Sequence, residues 1–242
     1  MGITIGTAGW SIARKNLPAS CDAGSALERY AQMFRGVEIN SSFYKSHRAS
    51  TWARWREAVP DDFRFAVKLP KAITHEAKLI GVDALVSRFA REVSPLSPKL
   101  AVLLVQLPPK LGFDLATAER FFGRLRACVE AHIACEPRNA TWFGPDADRT
   151  LERFRVARVA ADPALLPFAA EPGGWREIAY WRLHGSPVMY RSAYSDEALS
   201  LHAERLKAAE RKGVADIWSI FDNTAASHAT NDALALARKL GR

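Results

Sequence analysis

The stretch Leu100-Ala101-Val102-Leu103-Leu104-Val105-Gln106 is a β-prone run that breaks off at a polar residue. Seven more runs of this kind are spaced along the chain, and a helix-like segment separates most of them. They occupy residues 3–6, 37–40, 63–68, 133–136, 156–162, 180–184 and 217–222. Strand–helix alternation of this length predicts an α/β fold, a single (β/α)₈ TIM-like barrel with its active site at the carboxyl ends of the strands.

The polar strand ends share a parity with small residues. Residues two apart in a strand share a face, so Ala66 lies with Lys68 and Ala134 with Glu136. The same parity joins Glu38 to Asn40, Leu104 to Gln106, Ala160 to Asp162 and Arg182 to His184. The other parity is mostly apolar and suits packing against helices. We therefore expect the small-then-polar face to line the barrel interior and to open into one pocket. Alternatively, each strand simply ends where polar loop residues begin.

Composition favours one domain, residues 1–242, because no linker, low-complexity run or internal repeat divides the chain. Hydrophobic residues make up 48%, and no apolar stretch approaches the ~20 residues that cross a bilayer. Residues 1–6 carry neither a basic leader nor a signal-peptide core. We expect a soluble, cytoplasmic protein without a membrane partner, and the sequence gives no oligomeric state. Cys21, Cys128 and Cys135 are too few and too scattered for a disulfide framework or a zinc site.

The chain is basic, with a net charge of +8 and a pI near 9.6. A basic surface attracts anions, including nucleic acid and phosphorylated metabolites. Much of the excess lies in helical segments such as residues 149–158 and 205–212, where a solvated face is the commoner explanation. The net charge is therefore compatible with either kind of partner and does not distinguish between them.

Local signals mark the helices and two departures from an ideal barrel. Asp114 and Ser195 are predicted helix N-caps, and Gly213 is placed to end the helix that Ser195 starts. Residues 163–177, between strands six and seven, are rich in proline and glycine, so we predict an irregular connection there. Residues 69–80, after strand three, predict a long loop of the kind that is often functional.

Several longer motifs lie at the predicted strand ends. They read IGTAGWS at residues 5–11, VEINSSFY at 37–44, FRFAVK at 63–68 with ITH at 73–75, LVQLPP at 104–109, EPR at 136–138 with Trp142, RLHG at 182–185, YR at 190–191, YSDE at 194–197 and FDNT at 221–224. This set resembles the YecE-like family, also called domain of unknown function 72, over nearly the whole length. The resemblance implies a TIM-like barrel and supplies no established reaction. Asn139 departs from the family's pattern, which commonly has histidine there; if that histidine is an acid/base group, this chain does without it.

The predicted rim combines cations, carboxylates, amides and a histidine, a mixture that suits an anionic substrate and proton transfer. We predict Glu136 as general base, because Arg138 follows it by two residues at a strand end. We predict that Lys68 acts as an electrophile or phosphate ligand in preference to a Schiff-base nucleophile. His184 and Asp162 complete the predicted catalytic set. The predicted substrate-binding residues are Glu38, Asn40, Tyr44, His75, Gln106, Arg138, Arg182, Tyr190, Arg191, Tyr194, Asp222 and Asn223. The alternative is a salt-bridge network that stabilises the barrel mouth.

Phosphate in barrels is often bound by the loops after strands seven and eight, helped by a helix N-terminus. In such a site Gly185 would let backbone amides approach the ligand, and Thr224 would cap the last helix beside it. Alternatively, Gly185 only turns the chain and Thr224 only caps that helix, and neither serves a ligand. Tyr44, Tyr190 and Tyr194 could stack on a base or a sugar, or could cover the mouth as packing.

No dinucleotide fingerprint or P-loop is present, so no nucleotide cofactor is expected. No local metal-ligand motif is present and no metal ligand is predicted, although the carboxylates could bind a divalent metal if they converge. The leading hypothesis is an enzyme that performs acid/base or hydrolytic chemistry on a phosphorylated or otherwise anionic small-molecule substrate. The alternative is a nucleic-acid-binding protein or nuclease. A third possibility is a non-catalytic scaffold. The clustering of acids and bases would then carry an electrostatic cost that no function explains.

Overall fold

The computed structural model describes residues 2–13 and 24–241. Within these ranges the strands are β1 (Ile3–Thr7), β2 (Gly36–Ile39), β3 (Arg64–Lys68), β4 (Leu100–Gln106), β5 (His132–Glu136), β6 (Val156–Arg158), β7 (Ala160–Asp162), β8 (Gly173–Gly174), β9 (Ile178–Leu183) and β10 (Asp216–Phe221). The helices are α1 (Ala26–Ala31), α2 (Ser41–Tyr44), α3 (Ala49–Glu57), α4 (Asp83–Val93), α5 (Leu115–Cys128), α6 (Pro145–Arg153), α7 (Asp196–Arg211) and α8 (Ala229–Lys239). None of these helices is both long enough and apolar enough to span a bilayer.

The strands form two sheets. One has the order β1-β10-β9-β7 and is parallel throughout. The other has the order β2-β3-β4-β5-β6-β8 and is parallel except where the short β8 runs antiparallel to β6. The predicted α/β class with mainly parallel strands is confirmed. The ladders of the described residues do not form the single closed sheet that the sequence predicts.

The two sheets meet at two places. At the first, an isolated parallel bridge joins Ala8 to Glu38, and the Gly9 amide donates to the Glu38 carbonyl at 2.8 Å. At the second, β6 and β7 are separated only by Val159, yet β6 pairs with β5 and β7 pairs with β9. The strand predicted over residues 156–162 is therefore interrupted at Val159, and its two halves pair with strands of different sheets.

Gly6 allows β1 to approach β2. A Cβ atom at this position would lie 2.3 Å from the carbonyl oxygen of Gly36, far inside van der Waals contact. The Tyr30 hydroxyl spans the same junction, because it donates to the Gly36 carbonyl at 3.0 Å and accepts from the Thr7 amide at 2.8 Å. Close backbone packing at this junction therefore requires glycine at position 6.

Side chains of the strands divide into two apolar clusters. The inner cluster contains Ala66, Val102, Leu104, Ala134, Ala157, Val159, Ile178, Tyr180, Trp218 and Ile220. Side chains of the opposite parity, such as Phe65, Val67 and Cys135, pack with the helices in the outer cluster. The predicted alternation is confirmed in β3, β4 and β5. It places the polar carboxyl ends of these strands on the same face as the inner cluster.

The predicted helix starts at Asp114 and Ser195 are confirmed. Asp114 Oδ1 accepts from the Thr117 amide at 2.9 Å, and Ser195 Oγ accepts from the Ala198 amide at 3.2 Å. Thr224 does not cap the last helix as predicted, because α8 begins at Ala229 with His228 in the capping position. The YSDE motif therefore starts a helix, whereas the FDNT motif leads into a turn.

Both predicted irregular connections carry short local structure. The segment between β7 and β9 contains a 3₁₀ turn, Pro167–Ala170, and the two-residue β8, so no long helix forms there. The segment after β3 contains a π-helical turn, Ala72–Glu76, where the sequence predicts only a loop. That turn fixes His75 beside the carboxyl end of β3.

Candidate active site

Arg182 lies at the centre of a buried charge cluster at the carboxyl ends of the strands. Its Nε and Nη2 donate to the two carboxylate oxygens of Glu38 at 3.0 and 2.7 Å. Its Nη1 donates to Glu136, and Nη2 also donates to Asp222 at 2.9 Å. The side chains of Arg182, Glu38 and Glu136 are at most 1% exposed. This guanidinium therefore connects β9 of one sheet to β2 and β5 of the other.

Glu38 is held from two sides. The Tyr180 hydroxyl, two residues before Arg182 on the same face of β9, donates to Glu38 Oε2 at 2.8 Å. Both oxygens of this buried carboxylate thus accept charged or hydroxyl donors, as burial of a charge requires. Glu38 is already saturated by protein groups and is poorly placed to move a proton.

Glu136 is equally well paired. Its Oε1 accepts from Arg138 Nε at 3.0 Å and from Gln106 Nε2 at 3.3 Å, while Oε2 accepts from Arg182. Burial would raise the pKa of this carboxyl, but Arg182, His184 and Arg138 together hold its pKa well below the usual range. The environment therefore keeps Glu136 ionised and favours an electrostatic role over that of a general base.

His184 and Asp222 form a hydrogen-bonded pair just beyond β9 and β10. Nδ1 of His184 lies 3.1 Å from Asp222 Oδ2. Nε2 lies 3.3 Å from Glu136 Oε1, close enough for an ion pair but not aligned for a hydrogen bond. Burial lowers the pKa of His184, but Glu136 and Asp222 outweigh it, so the pKa is raised. Burial likewise opposes ionisation of Asp222, and Arg182 and His184 reverse it, so the pKa of Asp222 is lowered.

Lys68, at the end of β3, is the least neutralised cation of the site. Its ammonium lies 4.3 Å from the centre of the Phe43 ring, and it forms no ion pair with the part of the chain that the structure describes. Burial, with help from Arg182, lowers the pKa of Lys68 to about 8. His75 packs edge-on against the same Phe43 ring, and burial lowers its pKa with contributions from Lys68 and Arg138. Lys68 therefore releases its proton more readily than an ordinary lysine.

A cavity of about 410 Å³ opens beside this cluster. Glu136, Arg138 and His184 line one part of it, and the rest of the wall is apolar. A larger cavity of about 830 Å³ lies at the opposite end of the strands, against Ile3, Arg64 and Leu100, and none of the clustered residues reaches it. We place the candidate site in the smaller cavity, because catalytic groups of parallel α/β folds gather at the carboxyl ends of strands.

The comparisons with known proteins agree with this architecture. A family model described as "Protein of unknown function DUF72" matches residues 4–242. The chain belongs to the DUF72 family. The resemblance to YecE-like proteins that the motifs indicate is thereby confirmed.

Two curated relatives are bacterial proteins of this family type. The UPF0759 protein YecE of Escherichia coli K12 is 41% identical over 131 residues, which is 53% of this chain and 47% of YecE. The UPF0759 protein YunF of Bacillus subtilis is 30% identical over 151 residues, 59% of this chain and 53% of YunF. The chain thus spans about half the length of the curated relatives that it matches.

A solved DUF72 structure supports the fold. The crystal structure of a DUF72 family protein from Thermotoga maritima superposes with a TM-score of 0.80 at 23% identity, covering 100% of both chains. Likeness at this level of identity concerns the fold alone.

Asn139, the residue at which the sequence departs from the pattern expected from the resemblance, has a structural role. Its Oδ1 accepts from the Thr141 amide at 3.1 Å, and its Nδ2 donates to the Pro109 carbonyl at 2.9 Å. It therefore caps the 3₁₀ turn Ala140–Phe143 and joins that turn to the loop after β4.

Asp162 does not face the cluster. In the register of β7 with β9, Ala161 pairs with Arg182 and lines the cavity, whereas Asp162 pairs with Leu183. The predicted inward parity of Ala160 and Asp162 is therefore wrong, because Ala157, Val159 and Ala161 take the inner positions. The Asp162 carboxylate accepts from the Tyr194 hydroxyl at 2.9 Å instead.

A second polar network lies behind the site. The Tyr194 hydroxyl accepts from the Gly185 amide at 2.9 Å, and Asn223 Nδ2 donates to Asp232 at 2.7 Å and to the Ser192 carbonyl at 2.9 Å. Gly185 has a φ of +92°, which suits glycine. Tyr194 and Asn223 therefore hold the loop after β9 in place. The Gly185 amide already has an acceptor.

The remaining predicted residues lie beside the charged cluster or on the surface. Tyr190 is half-buried, accepts from Arg138 at 3.2 Å and packs edge-on against His184. Tyr44 is 73% exposed, and Arg191 is also exposed. Asn40 is half-buried, and its Oδ1 has no partner among the described residues. The sequence-based reasoning missed Tyr180, although its parity with Arg182 could have identified it.

Among residues 2–13 and 24–241, no three histidine, cysteine or carboxylate side chains are arranged as a set that could hold a metal ion. The carboxylates that converge, Glu38, Glu136 and Asp222, do so around Arg182.

Proposed function

We propose that this protein is an enzyme that performs acid/base or hydrolytic chemistry on a phosphorylated or otherwise anionic small molecule. The observation that carries the proposal is His184, which lines a cavity that also presents Arg138 and whose ring is paired with Asp222 behind it. A histidine oriented by a carboxylate is a common acid/base unit, because the carboxylate fixes the ring and its charge.

His184 is assigned the role of general acid. Its raised pKa favours the imidazolium, and Asp222 holds Nδ1. Nε2, which lies 3.3 Å from Glu136 Oε1, then carries the transferable proton. Glu136 remains ionised and stabilises this cation. We therefore do not assign it the role of general base that the sequence predicts. Lys68, with a pKa of about 8, is the second group that could exchange a proton near neutral pH.

Arg138 is assigned to the anion. Its side chain is 26% exposed and lines the cavity, whereas Arg182 is fully buried and committed to three carboxylates. Of its five N–H donors, those on Nε and Nη2 already contact Glu136 and Tyr190. The donors on Nη1 form no bond to the described residues and are available for an oxyanion.

A panel of phosphate monoesters and diesters tests the proposal, with wild type, His184→Gln and Arg138→Gln compared. We expect His184→Gln to lower kcat by about 10²–10⁴-fold, the usual contribution of a positioned proton donor. Arg138→Gln should mainly raise KM. His132→Gln is the matched control, because His132 begins β5 at the opposite end of the strand. Turnover that survives His184→Gln, or no turnover with any ester, would contradict the proposal.

Nucleic-acid binding is the second candidate, supported by Tyr44. This tyrosine is 73% exposed after β2, and it lines a cavity together with Lys45, Lys71 and Glu76, the last two paired at 3.1 Å. An exposed ring in a cavity that also presents lysines suits stacking on an unpaired base. Titration with single-stranded oligonucleotides at several salt concentrations separates the candidates, because phosphate contacts give affinities that fall steeply with salt. Binding that Tyr44→Ala leaves unchanged would remove the support for this candidate.

We further propose that the two sheets are arcs of one eight-stranded barrel. The support is the Ala8–Glu38 bridge at one junction and the continuous chain through Val159 at the other. In this arrangement β6 and β7 together form the sixth strand. Slow amide exchange at both Gly9 and Val159 would be expected, since their amides donate to Glu38 and Cys135 across the strands. Fast exchange at either would argue for an open edge.

A further inference from the structure

The cavity beside Glu136 is mostly apolar despite the charged cluster at its edge. Beyond Glu136, Arg138 and His184, its wall is formed by side chains such as Phe143, Val159 and Leu165, with several prolines and alanines. A site that binds only a compact anion such as inorganic phosphate does not need an apolar wall, because N–H donors and cations bind phosphate.

The apolar wall continues onto the surface. Leu165 and Met189 line the cavity and yet are 52% and 38% exposed. Phe168, 57% exposed, lies with its ring 6.1 Å from that of Phe143 in the cavity wall. These residues come from two different connections, the one after β7 and the one after β9. Together, Leu165, Phe168 and Met189 form an exposed apolar rim around one side of the cavity.

The charged and apolar parts line the same cavity. Arg138 and His184 supply positive charge at the carboxyl ends of β5 and β9, and the apolar rim lies on the connections that extend beyond them. The volume of about 410 Å³ is within the range of small-molecule sites and leaves room for more than a phosphate group.

We propose that the ligand of this site is an amphipathic anion, in which a phosphate or similar oxyanion is carried on an apolar chain or ring. The oxyanion lies against Arg138 and His184, and the apolar part lies on Phe143, Leu165 and Met189. This inference rests on the proposed function for the position of the oxyanion. The position of the apolar part is a separate claim, because it rests on the apolar wall and the apolar rim.

Calorimetric titration with straight-chain alkyl phosphates, from ethyl to octyl and below their micelle concentrations, tests the claim. Each added methylene should tighten binding by up to about fourfold until the cavity is filled, as burial of apolar surface requires. Leu165→Ser and Met189→Ser should flatten this dependence on chain length. Arg138→Gln should weaken every member of the series by a similar factor and leave the dependence unchanged. Leu201→Ser, at a 58% exposed leucine on α7, is the matched control and should change nothing.

The outcomes separate the two claims. Binding of inorganic phosphate with no gain along the series would overturn the amphipathic ligand and leave the proposed function in place. Alkyl alcohols that bind as tightly as the phosphates would support the apolar contacts and overturn the anion-binding role of Arg138. Absence of binding by both series at millimolar concentration would overturn both. If Leu165→Ser instead changed the oligomeric mass in light scattering and left the series unaltered, the rim would be a protein interface and the proposal would be wrong.

Discussion

Arg182 and Glu38 form a two-pronged ion pair that joins strands of different sheets, β9 and β2, and neither side chain is exposed. The pair brings together residues that are 144 positions apart in the chain. Its desolvation cost offsets much of its attraction, so its presence alone says little about net stability. Removal of one partner is another matter, because the other charge then remains buried and unpaired.

Arg182→Met should therefore destabilise the protein by at least about 3–5 kcal/mol, the cost of breaking a buried ion pair. Urea unfolding followed by circular dichroism measures the change. Arg35→Met is the matched control, since Arg35 and Asp62 form an exposed pair that contributes about 0–1 kcal/mol. A loss below 1 kcal/mol for Arg182→Met would mean that the cluster is solvated rather than buried.

Tyr180→Phe removes one hydrogen bond to Glu38 and keeps the ring. A hydrogen bond to a charged group contributes about 1.5–3 kcal/mol, so we expect a loss of that size in the free energy of unfolding. Tyr44→Phe, at an exposed ring, should have no measurable effect. Equal stabilities of the two variants would show that Glu38 does not need the Tyr180 hydroxyl.

His184 should make stability depend on pH. Because its folded pKa is raised, its stabilising contribution is complete below the unfolded value of about 6.5 and is lost as pH rises through the folded value. The stability difference between wild type and His184→Gln should therefore shrink as pH is raised above about 6.5. The transition belongs to the coupled group of His184, Asp222 and Glu136 rather than to one residue.

His202 should change the stability with pH in the opposite direction. It is buried beside Ser219, and burial lowers its pKa to about 3. The unfolded chain therefore binds a proton that the folded chain does not, and wild type should lose stability as pH falls below about 6.5, a loss absent in His202→Gln. Unfolding curves for both variants across the same pH range check both signs. The same slope in both would contradict the environments described for the two histidines.

Lys68 should titrate near pH 8. Competitive labelling with acetic anhydride, read by mass spectrometry, should show half-maximal reactivity of Lys68 at about that pH. In the urea-unfolded protein the same residue should return to the ordinary lysine value of about 10.4. An unchanged midpoint on unfolding would show that the site does not desolvate this ammonium.

Gly6→Ala should destabilise the protein by about 1–3 kcal/mol or more, because the new methyl group would overlap the Gly36 carbonyl and force β1 away from β2. Gly112→Ala is the control, since a Cβ there would meet only the Thr141 hydroxyl at an ordinary contact distance of 3.5 Å. Thermal unfolding compares the two. Equal melting temperatures would show that the strands can separate here without cost.

Local pattern predicted the strands and the faces of most of them. The alternation of Ala66 with Phe65 and Val67 determines which side packs against helices, because a strand repeats every two residues and the outer face is apolar. The same alternation placed Glu38, Glu136 and Arg182 on one face and identified the charged cluster. The caps at Asp114 and Ser195 are also local, since each bonds an amide three residues away.

Only the tertiary structure decided how those groups pair. The break at Val159 changes the strand partner. Val159 and Ala161, rather than Asp162, take the inner positions, and the sequence of residues 156–162 alone reveals neither fact. The pairing of Glu136 with Arg182 and Arg138, which holds its pKa low, depends on contacts between distant strands. The apolar wall of the cavity comes from connections whose path is set by packing rather than by repeating pattern. The sequence thus determined which residues face inward, because that is a local property of a strand, whereas register and loop packing determined their chemistry.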